Sequence, residues 1–178
     1  EVRGLGYAGN HPRRFSVLPF LLGVLLSQAP PTDGGTVLLK GQRFLAEVAR
    51  TDAEKARGLM YRTNLPKDRC MFFLYDTDGY HSIWMKNCLI SLDVAWVDAG
   101  GRIVEIAERV PPCSPLRGDD CPNYGGKVLS RHFVEFQAGT LRRLKVKVGD
   151  RLEWDLRLTD GRRIQSGGTI PPKGKGSS

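Results

Sequence analysis

The sequence predicts a mainly β fold, a meander of consecutive antiparallel strands with one or two short helices. Three observations predict it. Short runs rich in aromatic and β-branched residues recur along the chain, separated by Gly, Asp and Pro turn signals. The densest of them, Cys70 to Asp98, holds two of the three tryptophans and two of the four cysteines, and reads as a hairpin about Asp78-Gly79. The helix signals are short: Thr51-Asp52-Ala53-Glu54 is a capping-box pattern, with Thr as N-cap and Glu three residues on.

The elements follow in chain order. Arg13-Arg14 leads into an apolar run of about a dozen residues, Phe15 to Leu26, closed by Ser27-Gln28-Ala29. This matches a secretory signal peptide, within an N-terminal extension of residues 1–29. The run is shorter than the roughly 20 residues of an ordinary membrane-spanning helix. The expected location is therefore periplasmic or extracellular, and an uncleaved N-terminal anchor is the alternative. Residues 30–35 are a linker by composition, residues 36–158 the globular domain, and residues 159–178 a flexible basic tail.

Within the domain, Val37–Leu39 and Phe44–Ala49 flank Lys40-Gly41-Gln42 as two strands and a turn. The capped helix runs to Gly58 or Tyr61, with Leu59 and Met60 facing the core. Cys70–Tyr75 turns back on the chain from His81 onward. A two-residue turn sets Cys70 opposite Asn87, and one residue more sets it opposite Cys88. The second register brings Cys70 and Cys88 within the Cα separation of about 4.4–6.8 Å that a disulfide spans. Leu89–Val97 continues as strand, Asp98–Gly101 turns, and Arg102–Ala107 is the next strand. Val110–Tyr124, with four prolines and two cysteines, is an ordered loop. Val128-Leu129 and Phe133–Phe136 return to strand, Gly139–Leu144 forms a helical turn or two, and Arg151–Leu156 is a last strand.

Lys86, Asn87 and Asp93 are polar residues inside the apolar run, where burial demands partners. On an unbroken strand, Asn87 and Asp93 share one face and Lys86 takes the other. Asn87 with Asp93 therefore reads as a structural polar pair. Arg62, in the run Gly58-Leu-Met-Tyr-Arg62, is either a surface arginine or a cation paired with Asp93. Arg62, Lys86 and Asp93 make the candidate ligand site, suited to an anion such as a carboxylate, sugar acid or phosphate.

No catalytic residue is assigned, because G-x-S-x-G, H-E-x-x-H and a phosphate-binding glycine loop are all missing. No cofactor is implied. Cys113 and Cys121 sit in the proline-rich loop, where a loop-stapling disulfide is the default for an exported protein. Metal binding and thiol redox chemistry are the alternatives, but the chain has no C-x-x-C and no paired histidines, and His81 and His132 are isolated. Asp119-Asp120, between those cysteines, reads as solvated. The formal net charge of +8 includes the basic run Leu141–Lys147, which reads as a solvated face rather than a nucleic-acid surface.

Several motifs carry a resemblance. Gly58–Arg62 (GLMYR), Met71–Asp76 (MFFLYD), Trp84–Asn87 (WMKN) with Leu92–Asp98 (LDVAWVD), Val134–Gly139 (VEFQAG) and Val148–Trp154 (VGDRLEW) follow in order. Together they resemble the bacterial and archaeal domain-of-unknown-function family 192, over about residues 36–156. The resemblance implies a compact single domain with an antiparallel sandwich or barrel-like core and short helices, often exported, and it brings no activity with it. The family usually has Gly at position 70 and Thr at position 88, so two cysteines there support a Cys70–Cys88 disulfide. The functional expectation is an exported ligand- or partner-binding module of the cell envelope, whose partner is a small ligand or an envelope protein. It touches membrane only through an uncleaved N-terminal segment. An envelope enzyme acting on saccharides or other anionic substrates, through Asp93 with Lys86 or Arg62, is one alternative. A structural accessory domain is the other.

Overall fold

The computed structural model describes residues 32–170. Along the chain these form β1 (Gly34–Leu39), β2 (Gln42–Ala49), α1 (Asp52–Arg57), β3 (Arg69–Phe73), β4 (Ile83–Trp84), β5 (Leu92–Val97), β6 (Ile103–Val110), β7 (Asn123–Tyr124), β8 (His132–Gln137), α2 (Thr140–Arg143), β9 (Leu152–Arg157), β10 (Arg163–Gln165) and β11 (Gly168–Ile170). Nine strands make one curled sheet, a half-barrel, in the order β11-β10-β9-β1-β2-β3-β8-β5-β6, while β4 and β7 pair separately. The signal-like segment and residues 171–178 lie outside the described residues. No helix among the described residues is long and apolar enough to cross a membrane.

Local chemistry sets the first elements. Lys40 and Gly41 both take positive φ (50° and 78°), which suits the tight two-residue turn between Leu39 and Gln42. The capping box forms as expected. Thr51 Oγ1 accepts the Glu54 N–H at 3.2 Å, and Glu54 Oε2 accepts the Thr51 N–H at 2.8 Å. α1 buries no residue of its own, and Leu59 and Leu65, just after it, anchor the segment in the core. The expected helical turn after Gly139 is α2.

The curl brings the sheet's far parts together. Ile103 N–H donates to Asp150 O, and Leu152 N–H to Gly101 O, each at 2.8 Å, tying the start of β6 to the start of β9. Gly101 stands at φ 87°, and a Cβ there would fall 2.3 Å from the Leu152 carbonyl oxygen, so the approach requires glycine. Inside the curl lie Val37, Phe44, Phe72, Phe136, Leu141, Leu152 and Trp154. A second apolar cluster lies on the sheet's outer face: Met71 and Phe73 of β3, Val94 and Trp96 of β5, and Phe133 of β8, covered by Leu59, Leu65, Ile83 and Met85.

Several sequence expectations are corrected. Cys70–Tyr75 does not form a hairpin with the chain after His81. β3 pairs in parallel with β2 and antiparallel with β8, in the middle of the sheet. Four of its five residues are buried, so both its faces need cover, which a hairpin at the surface would not supply. The strands are accordingly not a simple meander: α1 lies in the crossover between parallel β2 and β3, and β8 separates β3 from β5. Residues 85–91 are turns and bends rather than strand, and Val128-Leu129 is not strand either. Gly34 and Gly35 belong to β1 rather than to a linker. The sheet also runs past residue 158, because Arg163–Gln165 adds to the edge of β9.

The proposed Cys70–Cys88 disulfide is absent. Cys70 is packed inside the curl and Cys88 in the outer cluster, so the sheet stands between the two thiols, and both are free and buried. Cys113 and Cys121 are bonded, with Cα atoms 5.8 Å apart. The expected labelling pattern is two thiols that react with iodoacetamide only after unfolding, and a Cys113–Cys121 peptide pair under non-reducing conditions. Recovery of a Cys70–Cys88 peptide pair would contradict this arrangement.

Candidate functional site

Arg62, Lys86 and Asp93 do not converge. Arg62 makes a two-armed ion pair with Glu47 of β2, Nη1 donating to Oε1 at 2.8 Å. The guanidinium hydrogen bond is the main reason the Glu47 carboxyl lies below its usual range. This pair borders an open groove of about 680 Å³. Lys86 pairs with Asp119 on the loop, beside a different cavity of about 360 Å³ that Cys113 and Cys121 also line. Asp119, read as solvated, is largely exposed but ion-paired.

Asp93 is fully buried and holds backbone. Its Oδ1 accepts the Arg109 N–H and its Oδ2 the Leu141 N–H, each at 2.8 Å. The pairing of β5 with β6 shifts register between Leu92 and Val94, and Arg109 takes φ 52°. Asp93 thus fastens the irregular end of β6 to the first turn of α2. The expected Asn87–Asp93 pair does not form. Asn87 stands in a turn at φ 55°, its carbonyl accepts the Tyr61 N–H at 2.8 Å, and its amide contacts Met60 Sδ at 3.8 Å. Strand parity does not carry from residue 87 to residue 93, because the chain between them is not strand.

A different residue gathers the unusual chemistry. Glu135 of β8 lies between Met71 of β3 and Val94 of β5, on the outer face of the third strand from the β6 edge of the sheet. It is 6% exposed, and its Oε2 has no hydrogen-bond partner among the described residues. Burial pushes its carboxyl up to about 8, so the group is mostly protonated at neutral pH. Above it opens a cavity of about 220 Å³. Lys55, Gly58 and Met60, Trp84 and Cys88, and Phe73, Tyr75 and Phe133 line it together with Glu135.

The cavity's neighbours are ordered by stacking. Tyr75 and His81 rings lie 3.7 Å apart at 19°, and Lys55 Nζ sits 4.3 Å from the Tyr75 ring centre. Burial, helped by Glu135, pushes Cys88 up to about 11 and Tyr75 up to about 12. Both are protonated at neutral pH. On the opposite face of the sheet, His132 is packed among Phe72 and Trp154, and its Nδ1 accepts the Tyr75 N–H at 3.2 Å. Burial holds His132 down to about 3.

Glu135 is not singled out by the sequence, because a single acid within a strand matches no motif. The usable signal was its company: His132–Gln137 is apolar on either side of Glu135, as in strands covered on both faces. Among the described residues no group of three or more His, Cys, Asp or Glu is arranged to hold a metal ion.

The fold and the cavity define a small single-domain β protein built on a curled sheet, with a buried acid under a side pocket. The chain belongs to DUF192, a family described as an uncharacterized ACR, whose model matches residues 36–154. The chain is similar to a crystal structure of a protein of unknown function from Novosphingobium aromaticivorans DSM 12444. That likeness has a TM-score of 0.59 at 33% identity, over 68% of this chain and 84% of that one. It is also similar to a candidate transcription regulator from Sinorhizobium meliloti 1021, with a TM-score of 0.61 at 27% identity, over 71% of this chain and 97% of that one. No curated protein matches it.

Proposed function

We propose that this domain is an exported binding module of the cell envelope that holds a small molecule in the cavity over Glu135. One observation carries the reading: a buried carboxyl oxygen without a partner among the described residues, in a residue that lines a cavity. A buried polar atom left unpaired costs about 1–3 kcal/mol, a cost that a bound molecule offsets. The cavity has room for about seven water volumes of ~30 Å³, so the ligand is small or enters only by a head group. Binding is favoured over catalysis because burial holds Cys88 and Tyr75 protonated at neutral pH, so neither a thiolate nor a phenolate lines the cavity with Glu135. Export is supported by the signal-like residues 13–29 and by the Cys113–Cys121 disulfide, a bond that persists in oxidising compartments.

Native mass spectrometry of the full chain purified from its own host is expected to show a small-molecule adduct, lost in Glu135→Leu. A bare mass for the wild-type chain, with no fragment from a small-molecule library shifting the Trp84 indole or Met60 methyl resonances, would overturn the reading.

A further inference from the structure

We infer that the cavity over Glu135 takes a small organic ammonium ion, with the Glu135 carboxylate as its counter-ion. This rests on the reading that the cavity binds a small molecule, and it names the chemical class. A buried carboxylate is ordinarily matched by a cation or by hydrogen bonds. Glu135 Oε2 has no hydrogen-bond partner, and Glu135 forms no salt bridge, among the described residues. The cavity that it lines is aromatic, with Phe73, Tyr75, Trp84 and Phe133 around it. Aromatic rings attract cations through their negative faces. Two of these rings already hold ammonium groups of the chain itself: Lys55 Nζ is 4.3 Å from the Tyr75 ring centre, and Lys86 Nζ is 5.2 Å from that of Trp84. The space beside Glu135 combines the same aromatic surroundings with an acid that lacks its cation.

The groups facing Glu135 leave that role open. α1 brings Lys55 and Arg57 to the cavity, the segment after β3 brings Tyr75, and the segment after β4 brings Cys88. The flanking sheet residues, Met71 and Val94, carry no charge. Lys55 is drawn towards Tyr75 and towards Asp52, 3.8 Å away. Burial alone acts on the Glu135 carboxyl, and neither cation of α1 lowers it. When an ammonium ion enters, the carboxyl releases its proton to solvent, so one positive charge replaces another and the cavity's net charge is conserved.

Isothermal titration of the full chain with tetramethylammonium chloride tests this, with tert-butanol as the neutral molecule of matching shape. Tetramethylammonium is expected to bind with release of close to one proton at pH 7. Its affinity should rise about tenfold per pH unit and level off above about pH 8. Glu135→Gln, an isostere of the protonated acid, should lose this binding by at least tenfold while remaining folded by circular dichroism. If that variant does not fold, the wild-type pH profile decides alone. Tetramethylammonium affinity that is flat or falls with pH, or that Glu135→Gln leaves unchanged, overturns the ammonium assignment. Tert-butanol binding that weakens above pH 8 would also overturn it, if it matches or exceeds that of the ammonium. In that case the cavity binds hydrogen-bond acceptors through protonated Glu135, and the binding reading stands. Binding of neither probe at any pH overturns the assignment, and a negative library screen then overturns the binding reading with it.

Discussion

Replacing Glu135 with glutamine is expected to stabilise the protein on the alkaline side of its pH range and to leave it nearly unchanged below pH 5. The sign follows from linkage. The carboxyl titrates near 4.5 in an ordinary setting and at about 8 in the folded chain. Between those values the unfolded chain has released a proton that the folded chain retains, so stability falls as pH rises, by about 1.4 kcal/mol per pH unit. Over the whole window the loss is on the order of a few kcal/mol, a large part of the 5–15 kcal/mol that typically separates folded from unfolded domains. His132 acts in the opposite sense. Its ordinary value is 6.5 and burial holds it at about 3, so stability is lost as pH falls through that interval. The two slopes oppose one another between pH 4.5 and 6.5, where these groups together predict a plateau. Urea midpoints measured from pH 4 to pH 9 check it. A wild-type curve with no alkaline decline, or a Glu135→Gln curve that declines as steeply as the wild type, would show that the acid is not buried as described.

Asp93→Ala is expected to destabilise the domain strongly. It leaves the buried N–H group of Leu141 and the part-buried N–H group of Arg109 without their acceptor. At about 1–3 kcal/mol for the buried group and less for the part-buried one, the loss is roughly 2–4 kcal/mol, with a further contribution from the cavity left behind. Asp93→Asn should fall between the two, because its amide keeps one acceptor oxygen and turns an NH2 group towards an N–H. Denaturant melts of the three proteins give the order directly. An Asp93→Ala protein within 1 kcal/mol of the wild type would sink this account of how β6 and α2 are joined.

Local features were legible in the sequence where they depend on residues a few positions apart. The capping box at Thr51, the Lys40-Gly41 turn and the loop disulfide all form. The recurring aromatic and β-branched runs between turn signals carried the mainly β class. What the sequence concealed is long-range. Cys70–Phe73 has neighbours from residues 46–49 and 133–136, and nothing local distinguishes such a strand from half of a hairpin. That misplacement put Cys88 opposite Cys70, and the separate assumption of unbroken strand from residue 87 to residue 93 set Asn87 beside Asp93. The acids were misjudged for a related reason. Asp93 looked available to a ligand, and its partners are two backbone amides sixteen and forty-eight residues away. Glu135 carries no motif of its own, and the cavity it lines is shared with α1 and with the chain around Trp84 and Cys88.

The pairing of β1 with β9 has a consequence for how the chain comes to be folded. β1 is among the first strands to leave the ribosome, yet one of its two partners is Leu152–Arg157. β3 likewise waits for Phe133–Phe136. A nascent chain therefore cannot close this sheet until residues beyond 150 have emerged, and pairings of such long sequence separation form slowly. Until then the edges of β1 and β3 that await these partners remain unpaired.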